Sequence, residues 1–147
     1  MVNIGQIKQL RQKTGVSITE CKKALEEAKG NIGKAKEILK RQGQKLAEKK
    51  AERKTEQGII ESYIHPNKKI GVLLELSCET DFVAQSQDFQ NLAHELCLQI
   101  AAIEEGISLL KQPWIKDETK TIKNLINEYV AKLGENIIIK RFVRYEL

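Results

Sequence analysis

At Gly58 the spacing of apolar residues changes from three and four to two, and this change constrains the fold of the 147-residue chain more than any other feature. A period near 3.6 builds helices and a period of two builds strands, so the chain must join a helical head to a part that contains a sheet. In the head, Ile4, Ile7 and Leu10 keep helical spacing, and Thr14-Gly15 ends that segment because glycine tolerates the left-handed C-terminal position. Ser17-Ile18-Thr19-Glu20 has the pattern of a capping box, in which the serine hydroxyl bonds the Glu20 amide while the carboxylate reaches back. The helix that follows buries Cys21, Ala24, Leu25 and Ala28 and stops at Gly30. Asn31 caps a third helix carrying Ile32, Ala35, Ile38 and Leu39, expected to stop near Gly43. Residues 1–43 are therefore predicted to form a three-helix bundle, whose core is marginal by itself because small domains bury little of their surface. Residues 44–57 are nearly all charged or small, with Leu46, Ala47 and Ala51 the apolar exceptions. They read as a solvated helical linker with Glu/Lys pairs one turn apart.

Beyond Gly58, residues 59–65 form a short strand and Pro66-Asn67-Lys68-Lys69 a turn, with asparagine suited to a left-handed backbone. Ile70, Val72, Leu74, Leu76 and Cys78 alternate with Gly71, Leu73, Glu75, Ser77 and Glu79, the pattern of a half-buried strand antiparallel to the first. Phe89, Leu92, Ala93, Leu96, Cys97, Ile100 and Ala101 then make one helical stripe, with Ser86 as cap and Gly106 as stop. A second stripe, Ile122, Leu125, Ile126, Tyr129, Val130 and Leu133, is expected to be capped near Asp117 and stopped by Gly134. Ile137-Ile138-Ile139 with Phe142 and Val143 closes the chain as a third strand. The fold class is α+β: the head bundle, the linker, and over 58–147 an antiparallel three-stranded sheet with two helices in the order β-β-α-α-β.

Charge divides at the same place. Residues 1–57 hold 15 Lys/Arg against 7 Asp/Glu, and residues 58–147 hold 10 against 13. A basic head can meet nucleic acid or an acidic protein surface. All seven aromatic residues lie at Tyr63 or later, and the arginines of residues 1–57 are Arg11, Arg41 and Arg53, so the head offers bases no stacking surface. No apolar run approaches the ~18 residues that span a bilayer. Met1-Val2-Asn3-Ile4-Gly5 has neither a secretory pattern nor that of a transit peptide, and Cys21, Cys78 and Cys97 show no paired spacing, so reduced thiols and a cytoplasmic location are expected.

Few residues stand in a pattern that carries chemistry. The glycines are single, with no phosphate-cradling run. His65 precedes Pro66 in a turn, and His94 and Cys97, one helical turn apart, are two ligands where a zinc site needs more. The expectation is a protein that is not an enzyme and holds no metal. One segment stands out: Glu79-Thr80-Asp81-Phe82-Val83-Ala84 sets a carboxylate beside a large aromatic at a strand-to-helix junction. The residues alone leave two readings. In the ordinary one Phe82 folds into the core and Asp81 caps the next helix; in the other Phe82 is an exposed anchor for a partner.

Cys78-Glu79-Thr80-Asp81-Phe82-Val83-Ala84 resembles the signature of the elongation factor Ts family. Thr14-Gly15, the run Cys21 to Ala28, Gly30 and Gly43 are similar to that family's N-terminal domain, which has the fold of a ubiquitin-associated module. Gly58 to His65 and Gly71 to Glu75 resemble its first two core strands, and Gly134-Glu135-Asn136-Ile137 with Arg141 its last. The resemblance implies guanine-nucleotide exchange on elongation factor Tu during translation elongation. The head would dock on the nucleotide-binding domain through Ile18, Thr19 and Lys22, and Thr80, Asp81, Phe82 and Val83 would insert beside the nucleotide. Phe82 then wedges between elements of the partner while Asp81 disturbs the groups that hold its magnesium ion, which weakens GDP binding. Linkage makes this reciprocal, and GTP rebinding displaces the factor. No cofactor of its own, no membrane and no direct nucleic-acid contact are implied.

Two departures from the family pattern accompany the resemblance. Family members carry a second core half or a long helical insertion between the core helices, where this chain has the short stretch Ile103 to Lys116. Short relatives pair two copies, which implies a homodimer; a three-stranded sheet with apolar strands leaves an edge uncovered, and Ile137, Ile139, Phe142, Val143 and Tyr145 of the last strand are expected as the contact. Val16-Ser17-Ile18-Thr19-Glu20 stands where the family has a small, methionine-rich stretch. The competing classes are a basic nucleic-acid-binding module and a ubiquitin-like adaptor, the latter resting on the head's fold alone.

Overall fold

The computed structural model describes residues 2–103 and 106–147. Three helices form the head: α1 (Ile4–Thr14), α2 (Ile18–Glu27) and α3 (Ile32–Lys50). Asn3 and Gln6 make a reciprocal capping box at α1, and Gly15 closes it at φ 70°. Ser17 caps α2 through the Glu20 amide at 3.3 Å, but the return bond expected from Glu20 gives way to an ion pair with Lys23 at 3.8 Å. Asn31 caps α3 through the Lys34 amide at 3.0 Å. Leu10, Cys21, Ala24, Leu25, Ala28, Ala35 and Leu39 close a core of their own.

The expected stop near Gly43 is absent, and α3 runs seven residues further, to Lys50. Gly43 is buried where α3 crosses the last helix, with Ala131 and the backbone of Asn127 next to it. Packing against a neighbouring helix outweighs the small intrinsic cost of a mid-helix glycine. The half-buried Ala47 packs on the core of the sheet, so this stretch is not wholly solvated.

The sheet has the order β1-β2-β5, all antiparallel, from β1 (Gln57–Ile64), β2 (Ile70–Cys78) and β5 (Ile138–Glu146). At Gly58 a Cβ would run into the backbone of Leu76 and Ser77, so the position where the period changes also requires the smallest residue. The β1–β2 turn bonds the Lys69 amide to the Asn67 side chain at 2.8 Å, and Lys68 rather than Asn67 takes the left-handed backbone. A register shift between Glu75 and Leu76 leaves Lys140 as the extra residue of a bulge in β5.

A one-turn helix α4 (Asp81–Ala84) leads into α5 (Gln87–Ala102), whose Ser86 cap accepts from the Phe89 amide at 3.3 Å. Helix α5 ends at Ala102, ahead of the expected Gly106. A 3-10 turn (Leu109–Lys111) and a small hairpin, β3 (Pro113–Trp114) with β4 (Asp117–Thr121), then precede α6 (Ile122–Leu133). The hairpin was not expected, and α6 is capped by Thr121, not near Asp117. The Asp117 carboxylate instead accepts from the Thr119 amide and hydroxyl at 3.1 and 2.6 Å. Those bonds, the hydroxyl first, hold the Asp117 carboxyl below its usual range. Gly134 closes α6 at φ 77°.

Val72, Leu74, Leu76 and Cys78 of β2 face α5 and α6 and make the larger core with Phe89, Leu92, Leu96 and Ile122. The three cysteines are buried and free. The other face of the sheet is open: Ile60, Ile64, Leu73, Val143 and Tyr145 all point to solvent. Ile137 is buried and Ile139 packs on the inner core, so of the apolar residues expected at a strand-five contact, Phe142, Val143 and Tyr145 are exposed. Among the described residues no helix is long and apolar enough to cross a membrane.

Candidate functional site

Strand β2 ends at Cys78 and the chain turns outward over Glu79 and Thr80. Thr80, extended at φ −125° and ψ 152°, caps α4 by accepting from the Val83 amide at 3.3 Å, so Thr80 and not Asp81 holds the helix start. A four-residue helix has too few internal bonds to persist by itself. This one is held from below. Val83 and Ala84 are buried, and the Ser86 hydroxyl donates to the Val83 carbonyl at 2.6 Å.

The turn leaves Phe82 88% exposed, against 0% for Phe89. The reading in which Phe82 joins the core is therefore wrong, and the reason is periodicity: with Val83 and Ala84 turned inward, one helical turn leaves Phe82 facing out. Asp81 is also exposed, with the Gln85 amide 3.5 Å from its carboxylate, and pairs with no cation among the described residues. Thr80 lies at the surface between them and the sheet.

A carboxylate from 55 residues away completes the base. Glu135 Oε1 accepts from the Glu79 amide at 3.1 Å and the Thr80 amide at 3.0 Å, and Oε2 from the Thr80 hydroxyl at 2.7 Å. The Glu79 carboxylate accepts from the Asn136 amide at 2.6 Å. Cys78 Sγ donates to the Thr80 carbonyl at 3.2 Å, and burial, then the nearby Glu135 charge, pushes its thiol up to about 11. Nothing in the local pattern around Glu135 marked this role. The pairing of β5 beside β2 brings the turn after α6 to the end of β2.

Ile18, Thr19 and Lys22 all lie exposed on the first turn and a half of α2, Ile18 at 54%, while Cys21, Ala24 and Leu25 on its other side fill the head core. The proposed docking residues thus occupy one solvent face of α2, and the Thr80–Val83 segment sits on a different element. His94 faces solvent and Cys97 faces the core, so that pair does not converge; among the described residues no three His, Cys, Asp or Glu side chains group to hold a metal.

Together these features describe an α+β protein that offers a fixed aromatic side chain to solvent, the kind of surface protein-binding modules use as an anchor. Comparison with known proteins narrows the class. Residues 79–147 match the family profile described as Elongation factor TS. The chain is 41% identical to elongation factor Ts of Thermotoga petrophila, over 99% of this chain and 96% of that protein. It is likewise 41% identical to elongation factor Ts of Coprothermobacter proteolyticus, over 99% and 98%, and 38% identical to that of Thermoanaerobacter sp., over 99% and 95%. The chain belongs to the elongation factor Ts family, and with it to the translation elongation factors. The first alignment spans 191 positions against 147 residues here, so at least 44 positions of that relative have no residue opposite them. This chain is a short member.

Proposed function

We propose that this chain promotes GDP release from elongation factor Tu during translation elongation and turns over no substrate of its own. The observation that carries the reading is the outward Phe82 on a base anchored by Val83 and Ala84. In this reading the solvent face of α2, with Ile18, Thr19 and Lys22, docks on the partner's nucleotide-binding domain, and Thr80 to Val83 enter beside the nucleotide. Burying a phenylalanine side chain gains about 1.5–3 kcal/mol, or a factor of roughly 10 to 150 in affinity. That is enough to favour the inserted state and too little by itself to expel a tightly held nucleotide. The remaining effect comes from Asp81, whose carboxylate, paired with no cation among the described residues, repels the phosphates and disturbs the groups that hold the partner's magnesium ion. A cytoplasmic location and the absence of direct nucleic-acid contact belong to the same reading.

Stopped-flow release of a fluorescent GDP from elongation factor Tu tests it. The release rate should rise with factor concentration and saturate; a rate unchanged by a stoichiometric excess ends the proposal.

Self-association is a second part of the reading, supported by the open sheet face. Its apolar residues are Ile60, Ile64, Leu73, Val143 and Tyr145, and Glu75 and Arg141 on it pair with each other at 2.8 Å. Such a face is largely apolar and carries an ion pair of its own, so a second copy of itself fits it. Sedimentation at high micromolar concentration should show a dimer, and a monomer there contradicts it.

A further inference from the structure

The exposed ring of Phe82 can act as a wedge only if the turn that carries it does not yield, and a one-turn helix supplies almost no stiffness of its own. We propose that Glu135 is the positioning residue of the exchange segment, and that the turn Gly134 to Asn136 ties that segment and the end of α3 into one rigid unit. The proposal rests on the exchange reading above and deepens it.

The hydroxyl of Thr80 has one proton, and at 2.7 Å from Glu135 Oε2 that proton is committed to the carboxylate. Its lone pairs then face the Val83 amide, which is the arrangement the α4 cap needs. Glu135 Oε1 takes the Glu79 and Thr80 amides, so one carboxylate fixes two consecutive peptide groups and the capping hydroxyl. Bonds to an ionised acceptor are the strong ones. Glu79 returns the contact by accepting from the Asn136 amide at 2.6 Å, which locks the two chain segments reciprocally.

The same turn reaches the head. Asn136 is buried, and its Nδ2 donates to the carbonyls of Ala51 at 3.3 Å and Arg53 at 2.9 Å, just past the end of α3. Lys50 Nζ, in the last turn of α3, donates to the Gly134 carbonyl. The Arg53 guanidinium lies 3.7 Å from Glu79 Oε1. Gly134, at φ 77°, makes the left-handed step that directs Glu135 toward Thr80. Thus the helix that leaves the head and the turn that carries Phe82 are held by neighbouring residues of one short connection. Docking of the head then fixes where the ring enters.

Misplacing a reacting group by about 1 Å can cost on the order of a hundredfold, and an inserted ring that must displace a partner's groups depends on position in the same way. Glu135→Ala should therefore lower the saturating GDP-release rate by roughly ten- to a hundredfold. The concentration that half-saturates the rate should stay nearly unchanged, because the docking face of α2 is untouched. Glu135→Gln keeps a carbonyl oxygen for the two amides but loses the charge and the acceptor for the Thr80 hydroxyl, so its rate should lie between those of Glu135→Ala and wild type. Amide hydrogen exchange in the free protein supplies a readout independent of the partner: the bonded amides of Val83 and Ala84 should exchange roughly tenfold faster or more in Glu135→Ala. If Glu135→Ala does not fold, Thr80→Val keeps the shape, removes both the hydroxyl bond to Glu135 and the cap on the Val83 amide, and should lose rate in the same direction.

A saturating rate of Glu135→Ala equal to wild type, unchanged exchange at Val83 and Ala84, or a Gln variant more impaired than the Ala variant each overturns the positioning role. Wild-type protein that fails to accelerate GDP release refutes the exchange reading instead, while the hydrogen-exchange comparison still decides whether Glu135 holds the turn.

Discussion

Phe82 and Phe89 stand seven residues apart on successive helices, α4 and α5, and their fates are opposite. Phe89 is fully buried among Leu92, Leu96 and Ile122, and Phe82 projects into solvent. Both follow a side-chain cap, Thr80 for one and Ser86 for the other. The difference is length and phase. Helix α5 has 16 residues and one apolar stripe, so Phe89 must join its neighbours in the core. Helix α4 has one turn, and Val83 and Ala84 take its inward side. Residue type alone decides neither case; what the rest of the turn buries does.

The largest effect that sharpens the contrast is on stability. Phe89→Ala should cost about 3–5 kcal/mol, whereas Phe82→Ala should stay within about 0.5 kcal/mol. Thermal or denaturant unfolding of both variants reads the difference, and a Phe82 variant that melts as early as the Phe89 variant collapses it.

A second test lies deeper in α5. Burial, and then the charge of Glu61, pushes the Cys97 thiol up to about 12 from its ordinary 9.0. Above 9.0 the unfolded chain loses this proton while the folded one keeps it, so the folded state binds more protons and stability falls with rising pH. The contribution is whole below about pH 9 and is lost as pH rises toward about 12. Unfolding measured across this range should therefore show a shallower fall in Cys97→Ala than in wild type. Equal slopes would mean that the interior beside Phe89 does not shield the thiol.

The smallest effect concerns Gly43, the converse of Phe82: a residue without a side chain that is nevertheless inside. A Cβ there would sit 3.7 Å from Ala131 and 3.9 Å from the Asn127 carbonyl, ordinary contact distances. Gly43→Ala should stabilise the protein by about 0.5–1 kcal/mol through helix propensity. A lower melting temperature would show that the crossing of α3 and α6 has no room for a methyl group.

How much of this was legible follows the same line. The periods of α1, α2, α5, β1 and β2 lie in the sequence itself because each element packs one continuous face. The run of α3 past Gly43 was not legible, since the reason for it, the contact with α6, lies 80 residues away at the Gln44–Asn124 pair. The β3–β4 hairpin escaped because two strand residues at Pro113 and Trp114 carry no period. Asp117 looked like a helix cap because its side chain does bond a backbone amide two residues on, but in a turn of β4. At the site, the local residues favoured a buried Phe82, and the exposed reading came from family resemblance. Glu135 belonged to that resemblance only as part of the last strand's approach; its bonds to Thr80 depend on the sheet being closed.

The central claim is that Phe82 works on a partner rather than on the fold, and the most direct measurement pairs GDP-release kinetics with melting of Phe82→Ala. The account predicts a variant that melts within the small range of a surface change, about 0.5 kcal/mol, and releases GDP from elongation factor Tu far more slowly than wild type at saturation. A variant that is equally stable and equally active would contradict it, because the ring would then serve neither the core nor the exchange.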